Sequence, residues 1–398
     1  MTPSKRQKAA PQKPDNLRVI TGKKLERRRK MKAGFCSILV IAGVITALEF
    51  LLPAGIIQTF SNLTALLGTG GYPISVSGSQ TLDVKPFGNY FYYLSDTHVA
   101  AYSNSGKELF SHAHGFERPV LKVSHGRALV YDQGGKQVQI FDLKGLKSQL
   151  DTEQEIITAA ISDSGNYAVT TYSEKYASAV SVYNKRNRVI YEWYSAGDVV
   201  NNVAISSNGK KIAVTTYNSD SGVFNSKLNI INFESATPEF TKSYEREIIY
   251  DLKNSSNIRF CVIKAGGIDY IKWSKHLVSE YKNDYRISLF CPNNALDVAV
   301  FCRDSDKTDN NIVVFSKNGK IKANIRYKGL ISDIQSKGRN IYCINDTEIS
   351  VVDFEGKLSH SLPYGFGGSK IVITATDLVA VVSDSEIKSI KLDEMGDR

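Results

Sequence analysis

Five aspartates recur in one kind of place. Asp96, Asp132, Asp304, Asp346 and Asp384 each follow a short apolar run, and Glu174 stands in a similar position. Carboxylates gathered at one mouth would favour a cationic ligand, a polyhydroxy ligand or a divalent cation. An aspartate that merely shapes its own turn would instead accept bonds from nearby backbone N–H groups. Asp304 and Asp306 form a D-x-D pair inside "RDSDKTDNN", which is expected to be the longest acidic loop at that mouth. It lacks the glycine and distal glutamate of an EF-hand loop, so calcium is not expected.

Other reactive types are sparse. His112 and His114 put two imidazoles on one side of a strand, half of a metal site with no third ligand at a useful spacing. Ser207 and Lys210 match S-x-x-K, but that pairing needs a helix, and Asn208-Gly209 between them dictates a hairpin turn. No metalloprotease, hydrolase-elbow, phosphate-loop or C-x-x-C motif is present. No catalytic, cofactor or metal site is therefore expected.

The elements that position these residues repeat. "VSHGRALVYD", "ISDSGNYAVTTY", "ISSNGKKIAVTTY" and "IQSKGRNIYCIND" each read strand, glycine turn, strand. A second form follows: "VAAYSNSGKELF", "VQIFDLKG", "IVVFSKNGKIKANI" and "ISVVDFEGKLSHSL". Joined, they make a four-stranded antiparallel unit. Second strands are expected to start near Tyr90, Ala128, Tyr167, Ile212, Ile258, Asp297, Ile341 and Leu378, 37 to 46 residues apart. That period fits a β-propeller blade of roughly 40–45 residues. The fold class is all-β, with eight blades; seven is the alternative if one weak unit is misread. The eighth unit has only three strands before the chain ends. Pro73–Ser79 is a spare strand, and closing the ring with it would hide both open edges.

Cys261, Cys302 and Cys343 are 41 residues apart, each on the second strand of its unit. Like positions in adjacent blades lie roughly 10 Å apart, beyond the roughly 7 Å limit for a disulfide. Cys291 sits on the first strand before Cys302 but not opposite it. Four reduced, blade-core thiols are expected after residue 70.

The turn of "SGKELF", with its echoes at Gly319-Lys320 and Gly356-Lys357, resembles that of quinoprotein-like and WD-like propeller repeats. The resemblance implies a fold and says little of activity. The closing tryptophan of the quinoprotein repeat is missing, and there is no regular WD dipeptide. The whole plan is similar to an uncharacterised family of single-span, membrane-anchored envelope proteins of Gram-positive bacteria. That similarity implies location and fold.

The plan is legible in the charges. Twelve of the fifty basic residues and two of the forty acidic ones lie in residues 1–32, leaving a neutral body. A neutral body has no footprint for a phosphate backbone, which excludes nucleic acid as a partner. Ala33 to Leu48 is a run of sixteen uncharged residues, and continuing past Glu49 to Leu52 reaches the length of a bilayer span. With a long basic region before it and no small-residue cleavage site after it, the run reads as an uncleaved signal anchor. The positive-inside rule places the tail in the cytoplasm and the rest outside.

The expected domains are a disordered basic tail at 1–32, an anchor at 33–58 carrying Cys36, a linker at 59–72, a propeller at 73–393 and a short tail at 394–398. The tail's charges should also attract anionic lipid, and Glu49 could meet a partner helix. The expected function is a non-catalytic binding or scaffolding module at the plasma membrane, recognising an envelope protein or a glycan. Its candidate binding rim is Asp96, Asp132, Asp304, Asp346 and Asp384. The rival is a propeller enzyme, an oxidoreductase or a glycan-acting hydrolase or lyase, with its site in the central mouth.

Overall fold

The computed structural model describes residues 70–390 apart from 221, 236, 275, 294, 366 and 375–377. The expected tail and anchor lie outside the described residues. Among the described residues no helix is long and apolar enough to cross a membrane.

The described residues form eight four-stranded antiparallel sheets. Blades 1 to 7 cover 81–113, 119–151, 156–195, 199–245, 249–282, 286–328 and 333–363, and blade 8 covers 368–390 plus 74–75. The first strands of neighbouring blades contact one another all the way round, including blade 8 with blade 1, so the ring is closed. The second strands begin at Tyr90, Arg127, Tyr167, Lys211, Arg259, Leu296, Asn340 and Val379, within one residue of the expected starts.

The core is divided among the gaps between blades. Eight apolar clusters each join two adjacent blades, such as Phe91 and Tyr93 of blade 1 with Val382 and Ile387 of blade 8. A middle strand is therefore covered on both faces. Tyr90–Ser95 and Val379–Ser383 are buried at every position, and Phe91, Phe260 and Phe301 are fully buried, each contributing about 1.5–3 kcal/mol. Outer strands keep one covered face and alternate, as Leu358–Pro363 does.

Ring closure is a strand pair. Ile74 and Ser75 pair with Ile387 and Glu386, completing blade 8 from the start of the described chain. The inner edge of each first strand has no strand partner, so neighbouring blades supply side-chain bonds to it. The Gln335 amide donates to the Ile371 carbonyl at 2.8 Å and accepts from the Ile373 N–H at 3.1 Å, doing what a paired strand would do. Asn201 and Asn254 donate to Ile249 and Ile205 carbonyls across the gap between blades 4 and 5.

Two expectations need correction. "RDSDKTDNN" is no long loop: Leu296–Arg303 and Asp306–Ser316 pair as one hairpin with a two-residue turn. The polar side chains of the hairpin find partners within the blade, so the ladder continues where composition suggested its end. The four cysteines among the described residues are free, but the equal spacing is not structural equivalence. Cys261 and Cys343 are core residues, whereas Cys302 sits near the far end of its longer strand, opposite Arg286 and Asn310, and is half-buried. Cys291 is half-buried too and faces Val298.

Candidate functional site

Turns between second and third strands all lie on one face of the ring, together with the connections that lead from each blade into the next. The predicted rim residues are on that face, and each carboxylate has a local task. Asp96 accepts from the N–H of Ser79 at 2.8 Å and from its hydroxyl. These bonds, the hydroxyl's first, hold its pKa below the ordinary carboxylate range. Asp132 accepts from the Arg118 N–H at 2.9 Å, and a Cβ on Gly135 would sit 2.2 Å from its other oxygen. Asp304 pairs with Arg286 at 3.1 Å. Asp346 accepts from the Ser332 hydroxyl at 3.5 Å, and Glu174 accepts from Gln154 at 3.0 Å. In each case the partner stands at or just before the start of the same blade's first strand. Asp384 differs, accepting from Thr81 N–H of the next blade at 2.7 Å. The acids thus tie a turn to the chain entering a blade. Among the described residues no three of His, Cys, Asp or Glu are grouped so as to hold a metal ion.

The histidine pair separates. His114 is buried, its Nε2 lies 3.1 Å from the Ser95 carbonyl, and its Nδ1 accepts from the Phe116 N–H at 3.0 Å. Both ring nitrogens are occupied, and burial pushes the pKa down. His112 instead packs edge-on against Phe141. Ser207 and Lys210 lie in the turn after Val199–Ile205, and the Ser207 hydroxyl bonds Asn257 at 3.4 Å.

Two concave sites escaped the sequence reading. The first is a polar cavity of about 380 Å³ on the rim face of blade 4. The blade's middle hairpin is long, with strands Lys211–Asp220 and Val223–Asn232, and its last residues run past the first strand. That overhang makes one wall. Asp198 accepts from Asn218 at 2.9 Å and pairs with Lys227 at 3.3 Å. Burial raises the Asp198 pKa, but these two partners more than offset it and leave it lowered. Arg246 lines the same cavity with φ at +56°, a left-handed conformation unusual outside glycine. Behind Tyr244 lies a buried ionic network. Asp269, wholly buried, accepts from the Tyr244 hydroxyl at 2.8 Å and pairs with Lys242 at 2.5 Å and Lys264 at 3.0 Å. Such a network fixes the cavity wall and contributes little net stability, because desolvation offsets the attraction.

The second is a groove of about 570 Å³ on the side of the ring, between blades 3 and 4. Its floor is the outer strand of blade 3, Val189–Ser195, whose sequence VIYEWYS carries no lysine or arginine. The strand has a free edge, since it ends its sheet. Tyr191, Glu192, Trp193 and Tyr194 all line the groove, joined by Tyr176 on one side and Phe233 and Glu234 on the other. Consecutive residues point to opposite faces of a strand, so the groove runs along the strand's edge. Tyr191 stacks on Phe233 at 5.0 Å and Tyr176 meets Tyr194 at 5.0 Å. Among the described residues, five of the thirteen large apolar side chains left exposed are in blade 3: Tyr172, Tyr176, Val189, Ile190 and Tyr194. In the sequence, the clue was an aromatic outer strand without the basic residues that commonly guard such an edge.

Comparison with known proteins agrees with this architecture. A family model described as a family of unknown function (DUF5711) matches residues 69–392. The C-terminal WD40 domain of Sif2 superposes with a TM-score of 0.58 at 12% identity, over 81% of this chain and 100% of that one. BamB from Moraxella catarrhalis superposes with a TM-score of 0.52 at 8% identity, over 81% of this chain and 99% of that one. At such identities the likeness shows the β-propeller fold alone. No curated protein sequence matches the chain.

Proposed function

The chain belongs to this family of unknown function, and from that premise we propose that it is a membrane-tethered, extracytoplasmic propeller that binds or scaffolds other components of the cell envelope. The tether is the apolar run from Ala33, with the basic tail before it on the cytoplasmic side. Protease added to intact spheroplasts should remove an epitope at Arg398 and spare one at Met1. Protection of the C-terminal epitope would overturn the topology.

The observation that carries the binding role is the groove along Val189–Ser195. A free strand edge offers unpaired backbone donors and acceptors, and the aromatic side chains beside it offer apolar contact area. An extended segment of a partner protein can add to such an edge as a further strand. Main-chain bonds then supply affinity, while Trp193, Tyr176 and Phe233 select side chains. Glu192 and Glu234 favour a segment with basic residues.

A photo-cross-linking residue at Tyr194 in living cells tests this, with one at exposed Ile321 on the outer strand of blade 6 as control. A discrete protein adduct from Tyr194 alone is expected. Adducts with glycan only, or equal adducts from both positions, would reject a protein-binding edge.

A further inference from the structure

The polar cavity of blade 4 has a wall built in rows. Asn218, Asn225 and Glu245 stand opposite one another on three neighbouring strands. Two residues along, Thr216, Lys227 and Ser243 do the same. Cross-strand partners share a face of a sheet, and so do residues two apart, so all six side chains are on one side. Asp198, just before the first strand, meets this side. It accepts from Thr216 at 3.4 Å and Asn218 at 2.9 Å and pairs with Lys227 at 3.3 Å. Asp198 and Lys227 thereby neutralise each other.

Two charges are left over. Glu245 and Arg246 both line the cavity, and among the described residues neither has an opposite charge within 4 Å. Both are exposed, so a ligand can reach them. In a regular strand, consecutive side chains would point to opposite faces. The strand ends at Glu245, and the left-handed φ of +56° at Arg246 breaks the alternation. A carboxylate and a guanidinium are thus kept at one opening. Strained backbone of this kind concentrates at binding sites.

The wall also carries an orphaned acceptor. Asn218 donates through its amide nitrogen to Asp198, while its Oδ1 is shielded from solvent and has no hydrogen-bond partner among the described residues. A buried acceptor without a donor is destabilising, and a donor carried in by a ligand would relieve it.

We propose that this cavity binds a small zwitterion, a free amino acid or a dipeptide. Arg246 takes the carboxylate, for which a guanidinium is the fitting donor. Glu245 takes the ammonium group, which can also donate to Asn218 Oδ1. A simple anion would meet Glu245 and a simple cation would meet Arg246, so the pair selects a ligand carrying both signs. The volume of about 380 Å³ is near the lower end of small-molecule sites, about 300–1,000 Å³. The cavity is separate from the side groove, so either proposal can fail alone.

The full chain in detergent should be melted with each of the standard amino acids and, in a second arm, with alanyl-alanine, at constant ionic strength. The best stabiliser in each arm is then titrated as a labelled ligand by equilibrium dialysis. Saturable binding with a raised melting temperature is expected, and the arm with the tighter binding tells amino acid from dipeptide. The N-acetyl and C-terminal amide forms of that ligand each lack one charge and should bind about tenfold more weakly or worse. Arg246→Gly should weaken binding by about tenfold or more and stay folded, because glycine accepts the left-handed backbone. Glu245→Gln should weaken it likewise. Lys144→Met, in a turn of blade 2, should change nothing. No saturable binding in either arm overturns the proposal. So does undiminished binding of the N-acetyl or the amide form, or wild-type affinity in folded Arg246→Gly. Should Arg246→Gly not fold, Glu245→Gln decides: unchanged binding there rejects the site.

Discussion

Asp384 Oδ1 accepts a hydrogen bond from the backbone N–H of Thr81 at 2.7 Å, joining positions 303 apart in the chain. The Thr81 hydroxyl donates to the Ser383 carbonyl at 2.8 Å, so the last blade and the first are stitched twice at this point. A short strand pair at Ile74 and Ile387 lies beyond it. Together with the apolar packing between blades 8 and 1, these non-covalent bonds keep two sheet edges from opening.

Asp384→Ala should therefore lower stability by about 1 kcal/mol, the usual net loss for one hydrogen bond, in urea unfolding. Asp384→Asn keeps an acceptor and should cost less. A chain starting at Leu82 lacks both Ile74 and Thr81 and should melt lower, or aggregate, beside one starting at Gly71. Equal melting temperatures for the two would contradict the closure as the source of stability.

Acid should act through the axial channel. Enclosure raises the Asp251 pKa, but Lys253 and Lys122 hold it at about 2 in the folded chain, against about 3.9 in an unfolded one. On acidification the unfolded state takes up the proton first. The ionised carboxylate thus contributes stability that is fully present above about pH 3.9 and is lost as pH falls towards 2. Melting temperature should fall less steeply between pH 4 and pH 2 in Asp251→Asn than in the wild type. Parallel curves would show that Asp251 titrates normally.

Thiol accessibility should divide the cysteines. Cys302 is half-buried at a strand end, whereas Cys343 and Cys261 are in the core, where burial pushes the Cys343 thiol up to about 12 and also raises Cys261. A thiol reagent at pH 8 should modify Cys302 first in the native protein, and Cys261 and Cys343 only with unfolding. Early labelling of Cys261, read by peptide mass, would mean that blade 5 opens.

The rim acids invite a double substitution. Asp304 and its partner Arg286 are both well exposed, and exposed pairs contribute about 1 kcal/mol at most. Asp304→Asn with Asp346→Asn should leave the melting temperature within a few degrees of the wild type. If the rim binds a cationic or hydroxyl-rich ligand, the double variant should lose capture of the envelope partner and much of its salt sensitivity. Wild-type capture by a folded double variant would make these aspartates turn residues only.

Much of the architecture was written locally. Glycine turns and apolar alternation located eight second strands within one residue, and the spare segment around Ile74 could be matched to the strandless edge of the last unit. These are short-range properties: side-chain alternation and turn chemistry act over a few residues, so a sequence displays them. What only the tertiary structure decided is what meets across blades. Asp384 accepts from Thr81 of the next blade, 303 positions away, rather than from its own turn. The groove takes Trp193 from one blade and Phe233 from the next. Lys122 and Asp251 come from blades 2 and 5 and share a channel that exists only once eight wedges of apolar packing have closed the ring. The equal spacing of Cys261, Cys302 and Cys343 misled for the same reason: sequence distance counts residues, while position in a blade depends on how far each hairpin extends before it turns.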